Sequence, residues 1–259
     1  MNTRTIDTAR GLRVAVHEAG RGAPLVFLHG AGGLLADNPF LDELAARYHV
    51  LAPEWPGYGE SGGEEQLEDM LDFALHGWDV VAALGLERPH LVGHSMGGMI
   101  AAEMAALAPN EIERLCLVAS AGLWLDQHPL PDLFALLPQE LPGYLFHDVE
   151  RGSKLMAPGG DINDVKFLAE FMVMNARRLG MAGKMLFPIP DRGLSDRLYR
   201  IKARTLIVWG EIDKLIPLPY AEAFRSAIAD ARVVTIPEAG HLVGHEKPEA
   251  VLRALATLN

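Results

Sequence analysis

The chain has 259 residues, which is enough for one large domain with a buried core and a small inserted subdomain. Its formal net charge of −11 at pH 7 argues against nucleic acid and anionic membranes as partners, because such surfaces repel an acidic protein. The N-terminal residues contain no apolar stretch like that of a signal peptide, and no apolar run is long enough to cross a bilayer. We therefore expect a cytoplasmic protein.

Short β-rich runs alternate with longer helical patterns along most of the chain, which is typical of an α/β fold with a doubly wound parallel sheet. Several of these runs are continuously apolar, such as LVFLH and TLIVW, as expected for parallel strands covered on both faces. The predicted strands are 12–17, 24–29, 50–54, 89–94, 114–120, 204–210 and 231–237. The predicted helices are 39–48, 66–84, 96–108, 217–229 and 247–258.

The alternation is interrupted once, between residues 122 and 198. Prolines are frequent in the first part of this segment, and a helical pattern follows at 164–179. The segment also holds half of the chain's ten methionines. We predict that 122–198 is a helical cap inserted into a core formed by 1–121 and 199–259. Most of its apolar side chains would form its own core, while others would line an adaptable apolar pocket.

The pattern G-x-S-x-G, which often surrounds a nucleophilic serine, occurs twice, at 93–97 and at 59–63. Ser95 in the first match lies between an apolar strand and an Ala- and Met-rich helix. A tight strand-to-helix turn needs small flanking residues, and it places the hydroxyl beside a helix N-terminus that favours a developing anion. Ser61 in the second match follows a Pro/Gly turn and precedes acidic residues. We therefore predict that Ser95 is a nucleophile and Ser61 a loop residue.

A serine hydroxyl needs a positioned base, and His241 is our candidate among ten histidines. It follows the last predicted strand on a glycine-bearing loop, and loops at the carboxyl edge of a parallel sheet can meet. His245 is the rival. Together the two histidines imitate a metal-ligand spacing, but without a third ligand nearby we expect no metal site. His94 is next to the serine, where side chains of successive residues diverge.

The carboxylate that orients the base should follow another strand, between the serine and the histidine in chain order. Asp213 fits this requirement, although a helix-capping or turn carboxylate is an alternative interpretation. Glu211, in the same loop, and Asp126, after an earlier strand, remain alternatives. The single cysteine, Cys116, lies in an apolar run, so we expect an inert buried thiol.

Acyl transfer also requires N–H donors aimed at the oxyanion that forms. One should be the main-chain N–H of Met96, directly after the candidate nucleophile. The other should come from the small residues after the strand 24–29, with Ala31 the first choice and Gly32 the second.

The chain resembles the α/β-hydrolase superfamily, in particular the capped group that includes esterases, lactonases and carbon–carbon bond hydrolases. The motifs that carry this resemblance occur in the superfamily's order and spacing: LHGAGG (28–33), PGYGESG (56–62), VGHSMGG (92–98), VWGEIDKLIP (208–217) and PEAGHLVGHEKPE (237–249). The resemblance implies a mixed eight-stranded sheet with the insertion as a lid, and it supports the three candidate catalytic residues by position. A serine at position 95 argues against epoxide hydrolases and haloalkane dehalogenases, which resemble this chain but carry an aspartate there. Leu242 stands where carbon–carbon hydrolases often carry a tryptophan.

We therefore predict a serine hydrolase that cleaves a small or medium-sized apolar carboxylic ester without a cofactor. Lactone, thioester and carbon–carbon bond hydrolysis are alternatives on the same residues, and a small-molecule binding or signalling protein with vestigial catalysis is an alternative of another class. His29, Gly30 and Trp124 are the residues we assign to substrate binding, and His29 also to organising the loop after its strand.

Overall fold

The computed structural model describes residues 1–35, 38–187 and 192–258. Within these ranges eight strands form a single sheet in the order β1-β2-β4-β3-β5-β6-β7-β8. β2 is antiparallel to both of its neighbours, and from β4 to β8 all the pairs are parallel. The strands are β1 (Asn2–Asp7), β2 (Arg13–Ala19), β3 (Pro24–Leu28), β4 (His49–Pro53), β5 (His90–His94), β6 (Arg114–Val118), β7 (Arg204–Gly210) and β8 (Ala231–Ile236). The predicted, mostly parallel α/β sheet is confirmed.

Helices cover both faces of the sheet. The α-helices in the described residues are α1 (Pro39–Ala45), α2 (Met70–Ala83), α3 (Met96–Leu107), α4 (Leu141–Leu145), α5 (Val149–Met156), α6 (Val165–Leu186), α7 (Pro219–Ala227), α8 (Val243–Glu246) and α9 (Pro248–Leu255), and short 3-10 helices lie at Glu64–Gln66, Leu198–Arg200 and Ala256–Leu258. α2, α3 and α7 pack on one face, whereas α1, α8 and α9 pack on the other. No helix within the described residues combines the length and the apolar character that a membrane crossing requires.

Side chains along the central strands alternate between two apolar cores, as the period of two in a strand requires. In β6, Leu115 and Leu117 belong to one core, while Cys116 and Val118 belong to the other. All four are buried. Burial of each large aliphatic side chain contributes roughly 1.5–3 kcal/mol. The continuous apolar run in the sequence therefore reflects a strand that is covered on both sides.

Among the differences from the sequence-based prediction are the start of α2 and the presence of β1. α2 begins at Met70 instead of residue 66, because the Asp69 carboxylate caps the helix by accepting a hydrogen bond from the Asp72 N–H at 3.0 Å. β1 is not among the strands predicted from apolar runs. It lies at the edge of the sheet, where only Ile6 is buried.

Between β6 and β7 the described residues contain α4, α5 and α6. α6 has 22 residues and continues to Leu186, seven residues beyond the predicted end of that helix. Its C-terminal part packs on the rest of the protein through the buried residues Met181, Ala182 and Met185. The Lys184 ammonium donates hydrogen bonds to the carbonyls of Glu64 and Leu67. The division into a core and a cap at residues 122–198 remains a prediction.

Candidate active site

Ser95 lies on a strained turn between β5 and α3. Its φ of 53° and ψ of −119° are unusual for a residue with a side chain, and such strain costs on the order of 1–3 kcal/mol. The turn depends on its glycines. A Cβ on Gly93 would lie 2.3 Å from the Gly97 carbonyl oxygen, and a Cβ on Gly97 would lie 2.1 Å from the Leu28 carbonyl oxygen. The sequence pattern at 93–97 therefore reflects close backbone packing.

Three side chains that are distant in sequence meet at the carboxyl edge of the sheet. His241 Nε2 lies 2.9 Å from Ser95 Oγ, and His241 Nδ1 lies 2.8 Å from Asp213 Oδ2. All three residues are buried. A carboxylate can only accept, so this network assigns the ring proton to Nδ1 and leaves Nε2 to accept the serine O–H.

The Asp213 carboxylate is fixed by a tight turn after β7. Its Oδ1 accepts hydrogen bonds from the N–H groups of Leu215 at 2.9 Å and Ile216 at 2.8 Å. These bonds leave Oδ2 for the imidazole. Of the two alternatives, Glu211 is exposed, and Asp126 accepts a hydrogen bond from the Trp124 indole at 2.9 Å.

The other two candidate nucleophiles, Ser61 and Cys116, are buried within the fold. Ser61 is buried, and its Oγ accepts a hydrogen bond from the Ala15 N–H at 2.9 Å on β2. Cys116 is buried inside β6, and burial raises the pKa of its thiol far above the usual value. Neither residue lines the cavity that adjoins Ser95.

Two further histidines hold loops around the site. His94 Nε2 donates to the main-chain carbonyl of His241 at 3.0 Å, and burial together with the neighbouring His241 lowers the pKa of His94 well below its usual value. His29 Nδ1 donates to the Gly30 carbonyl at 2.8 Å, while its Nε2 accepts from the Trp55 N–H at 3.0 Å. Burial lowers the pKa of His29 to about 4. Both rings therefore act as neutral hydrogen-bonding groups. His245 lies one turn further on, in α8.

The residues predicted to form an oxyanion site are Met96, which directly follows Ser95, and Ala31 or Gly32, in the loop after β3. Met96 is the first residue of α3, so its N–H has no partner within the helix. The loop after β3 turns at Gly30, whose carbonyl accepts from the Gly33 N–H at 3.0 Å. A Cβ on Gly30 would lie 3.3 Å from the Ser95 Cβ, so this loop packs directly against the serine. Ala31 and Gly32, within the turn, are half-buried and exposed respectively.

An apolar cavity of about 60 Å³ adjoins Ser95. Apart from Ser95 itself, Arg192 is its one polar lining residue in the described part of the chain, and the Arg192 guanidinium donates to the carbonyls of Lys184 and Phe187. The other lining residues are Met99, Ala121, Gly122, Leu123, Leu130, Pro131, Leu133, Phe134, Met185, Leu186, Leu215 and Ile216. His29, Gly30 and Trp124 are absent from this lining, so their assignment to substrate binding stays a prediction.

Sequence reasoning did not single out two residues that contact the site. The Tyr58 hydroxyl lies within hydrogen-bond distance of the carbonyls of Ala31 and Arg178, at 3.0 and 3.3 Å, and so connects the loop after β3 to α6. The Glu246 carboxylate accepts from the Gly240 N–H, directly before His241, at 2.6 Å. Tyr58 occurs in the motif PGYGESG and Glu246 in the motif PEAGHLVGHEKPE. These motifs were the signal in the sequence that could have identified the two residues. Within the described residues no cluster of three or more His, Cys, Asp and Glu side chains could hold a metal ion.

Comparison with known proteins identifies relatives over almost the whole chain. The model of a family described as the alpha/beta hydrolase family matches residues 25–254. A 2-hydroxy-6-oxo-6-phenylhexa-2,4-dienoate hydrolase of Comamonas testosteroni is 29% identical over 260 residues, which cover 90% of this chain and 86% of that protein. A pimeloyl-[acyl-carrier protein] methyl ester esterase of Aeromonas hydrophila subsp. hydrophila is 29% identical over 238 residues, which cover 89% of this chain and 92% of that protein.

The fold also matches solved structures. The crystal structure of a membrane phospholipase A, described as a bacterial virulence factor, superposes with a TM-score of 0.79 at 26% identity, covering 99% of this chain and 85% of the other. The fold is therefore shared with a solved phospholipase A structure, and the sequence relatives are named as a dienoate hydrolase and a methyl ester esterase.

Proposed function

The chain belongs to the alpha/beta hydrolase family, and from this premise we propose that it is a serine hydrolase that cleaves a small or medium-sized carboxylic ester. The observation that carries the proposal is the unbroken line of contacts from Asp213 through His241 to Ser95, at 2.8 and 2.9 Å. A buried hydroxyl, imidazole and carboxylate in this order are the parts that acyl transfer requires.

In the first half of the reaction, Ser95 Oγ attacks the ester carbonyl carbon while His241 Nε2 takes the hydroxyl proton. Asp213 keeps the proton on Nδ1 and stabilises the imidazolium that forms. The carbonyl oxygen becomes negatively charged next to the N–H groups of Met96 and Ala31, with Gly32 as the alternative to Ala31. When the intermediate collapses, the bond to the leaving alcohol breaks and His241 protonates the alcohol.

In the second half, water releases the acyl group from Ser95. His241 Nε2 removes a proton from the water as its oxygen attacks the acyl carbon, and then returns the proton to Ser95 Oγ. The products are the carboxylic acid and the regenerated enzyme. Every proton moves through one imidazole, so no cofactor is needed for this chemistry.

The cavity supports an apolar acyl or alcohol group. Its lining consists of aliphatic, thioether and aromatic side chains, among them Met99, Phe134 and Met185. Such a surface favours a hydrocarbon group of the substrate, because binding removes the apolar area of that group from water. It offers few hydrogen-bond partners to a polar substituent. Thioether side chains can also adapt to chains of different shape.

Carbon–carbon bond hydrolysis is the second candidate, because the Comamonas testosteroni relative is named for a dienoate that carries a ketone. Ser95 Oγ would attack that ketone carbon while His241 takes the hydroxyl proton. Leu242, which follows His241, departs from the tryptophan that we associate with this group of hydrolases. We therefore place ester hydrolysis first.

The decisive experiment compares hydrolysis of p-nitrophenyl butyrate by the wild type, Ser95→Ala and Ser61→Ala. We expect Ser95→Ala to lower kcat by at least about a thousandfold, because no nucleophile remains. Ser61→Ala should keep most of the activity, since its hydroxyl binds the backbone of β2. Equal background hydrolysis by the wild type and Ser95→Ala would refute the proposal. A wild type that cleaves 2-hydroxy-6-oxo-6-phenylhexa-2,4-dienoate faster than any ester would establish the second candidate instead.

A further inference from the structure

The segment Gly240–Leu242, here called the base loop, carries His241 and is anchored at each of its three residues. The Gly240 N–H donates to Glu246 Oε2 at 2.6 Å, and the Leu242 N–H donates to the Leu145 carbonyl at 2.9 Å. The carbonyl of His241 itself accepts from His94 Nε2 at 3.0 Å. The main chain around the imidazole is therefore fixed by three separate partners.

Glu246 connects this loop to a second segment, residues 145–148, which runs from the last residue of α4 to the residue before α5. While Oε2 binds the base loop, Oε1 accepts from the N–H groups of His147 at 2.9 Å and Asp148 at 3.0 Å. One carboxylate thus receives three backbone donors from two segments that are far apart in sequence. Hydrogen bonds to an ionised acceptor are about twice as strong as neutral ones.

Close packing leaves the base loop little freedom to move alone. A Cβ on Gly240 would lie 2.9 Å from both the His147 nitrogen and the Leu145 carbonyl oxygen. On the opposite side, a Cβ on Gly210 would lie 2.1 Å from the Gly240 carbonyl oxygen. The loop is therefore enclosed between the end of β7 and the segment 145–148, and Glu246 binds both that segment and the loop.

We propose that Glu246 is a positioning residue, which holds the base loop on the segment 145–148 and thereby keeps His241 Nε2 within hydrogen-bond reach of Ser95 Oγ. The proposal rests on the proposed function. On this proposal residues 145–148, which belong to the predicted cap, support the catalytic base His241 as well as covering the site. A misplacement of a reacting group by about 1 Å can lower a rate about a hundredfold, so loss of this support should reduce turnover itself.

The test compares Glu246→Gln, Glu246→Ala and Glu246→Asp with the wild type. Glutamine keeps the size of the side chain, but only its oxygen can accept a hydrogen bond, because its NH₂ group is a donor. It can therefore bind the N–H groups of the base loop or those of residues 147 and 148, but not both. We expect Glu246→Gln and Glu246→Ala to lower kcat for p-nitrophenyl butyrate about 10- to 100-fold with KM changed less than about twofold. The rate of Ser95 labelling by a fluorophosphonate, normalised to folded protein, should fall by a similar factor.

Glu249→Gln is the matched control, because this exposed glutamate lies three residues further on and pairs with the Arg253 guanidinium at 3.4 Å, away from the base loop. Glu249→Gln should retain the wild-type kcat for p-nitrophenyl butyrate and the wild-type rate of Ser95 labelling. Glu246→Asp keeps the charge and should recover part of the labelling rate, which also preserves the test if Glu246→Ala does not fold. Variants of Glu246 that lose thermal stability but label at the wild-type rate per folded molecule would overturn the positioning role. If the wild type is neither labelled nor active, the proposed function fails as well, so the two failures are distinguishable.

Discussion

The imidazole Nε2 of His241 lies 2.9 Å from the Oγ of Ser95, although 146 positions separate the two residues in the chain. The sheet accounts for this contact. β5, β6, β7 and β8 are neighbours and run parallel, so the residues that follow them emerge at one edge. The loops after β7 and β8 then reach back toward the serine.

Replacement of Asp213 by asparagine should reduce kcat by about 10⁴-fold. Leu215 and Ile216 would still donate to the side-chain oxygen, so the turn would survive, while the new NH₂ would face Nδ1 and favour the wrong ring tautomer. Steady-state ester hydrolysis measures the effect. Glu211→Gln, an exposed change in the same loop, should remain near wild-type activity. Equal losses in both variants would contradict the assigned role of Asp213.

Gly97→Ala should destabilise the fold by about 1–3 kcal/mol or prevent folding, because the new Cβ would lie 2.1 Å from the Leu28 carbonyl oxygen. Gly183→Ala is the matched comparison. Its Cβ would meet nothing within 4 Å on α6, and alanine in a helix interior gains about 0.5–1 kcal/mol over glycine. Urea unfolding should therefore show a lower free energy of unfolding for Gly97→Ala and a higher one for Gly183→Ala. An unchanged free energy of unfolding in Gly97→Ala would exclude the tight turn at Ser95.

Met185→Ala should shift the preferred ester toward longer acyl chains, because this buried side chain lines the cavity beside Ser95. It should also cost about 2–5 kcal/mol of stability through the space it leaves. A series of p-nitrophenyl esters from acetate to octanoate measures the preference. Met172→Ala lies on the same helix with 63% of its residue surface exposed and should leave the preference unchanged. An unaltered chain-length profile in Met185→Ala would move the substrate site elsewhere.

Acidification should destabilise the protein between about pH 6.5 and pH 4 through its buried histidines. Burial lowers the pKa of both His29 and His76 to about 4, whereas the unfolded chain protonates them near 6.5. Below pH 6.5 the unfolded state therefore binds more protons, and the free energy of unfolding falls until the folded state also becomes protonated.

His76→Phe tests this dependence, because His76 is buried on α2 and both of its ring nitrogens lack partners in the described part of the chain. Between pH 7 and pH 5 the free energy of unfolding, measured with urea, should fall by about 2 kcal/mol less in the variant than in the wild type. Carboxylates that begin to titrate near pH 5 are common to both proteins, so the difference between the two curves reports His76. Identical pH dependence in the two proteins would show that His76 does not contribute.

Much of the fold and the site could be predicted from sequence because the signals are local. The apolar runs of the central strands are buried on both faces, so they stand out without knowledge of their neighbours. The glycines around Ser95 record a steric requirement within five residues. Asp213 and His241 each follow a predicted strand, and parallel strands bring their loops to one edge.

The remaining features depend on partners that a single sequence does not reveal. β1 is a largely exposed edge strand in which only Ile6 is buried, and it is defined by its pairing with β2. Likewise, Glu246 resembles any charged residue of a helical turn until residues 145–148 are placed against it. The hydrogen bond from the Trp124 indole to Asp126 is another such feature, and the assignment of Trp124 to substrate binding stays a prediction.

The burial of Cys116 within β6 has a practical consequence for studies of motion. It is the sole cysteine of the chain and its thiol is shielded from solvent, so maleimide reagents should leave the native protein unmodified. A cysteine introduced on the outer surface of α6 would then accept a single fluorophore or spin label. The emission or mobility of such a probe would report whether the surroundings of α6 change during turnover, without prior removal of any native residue.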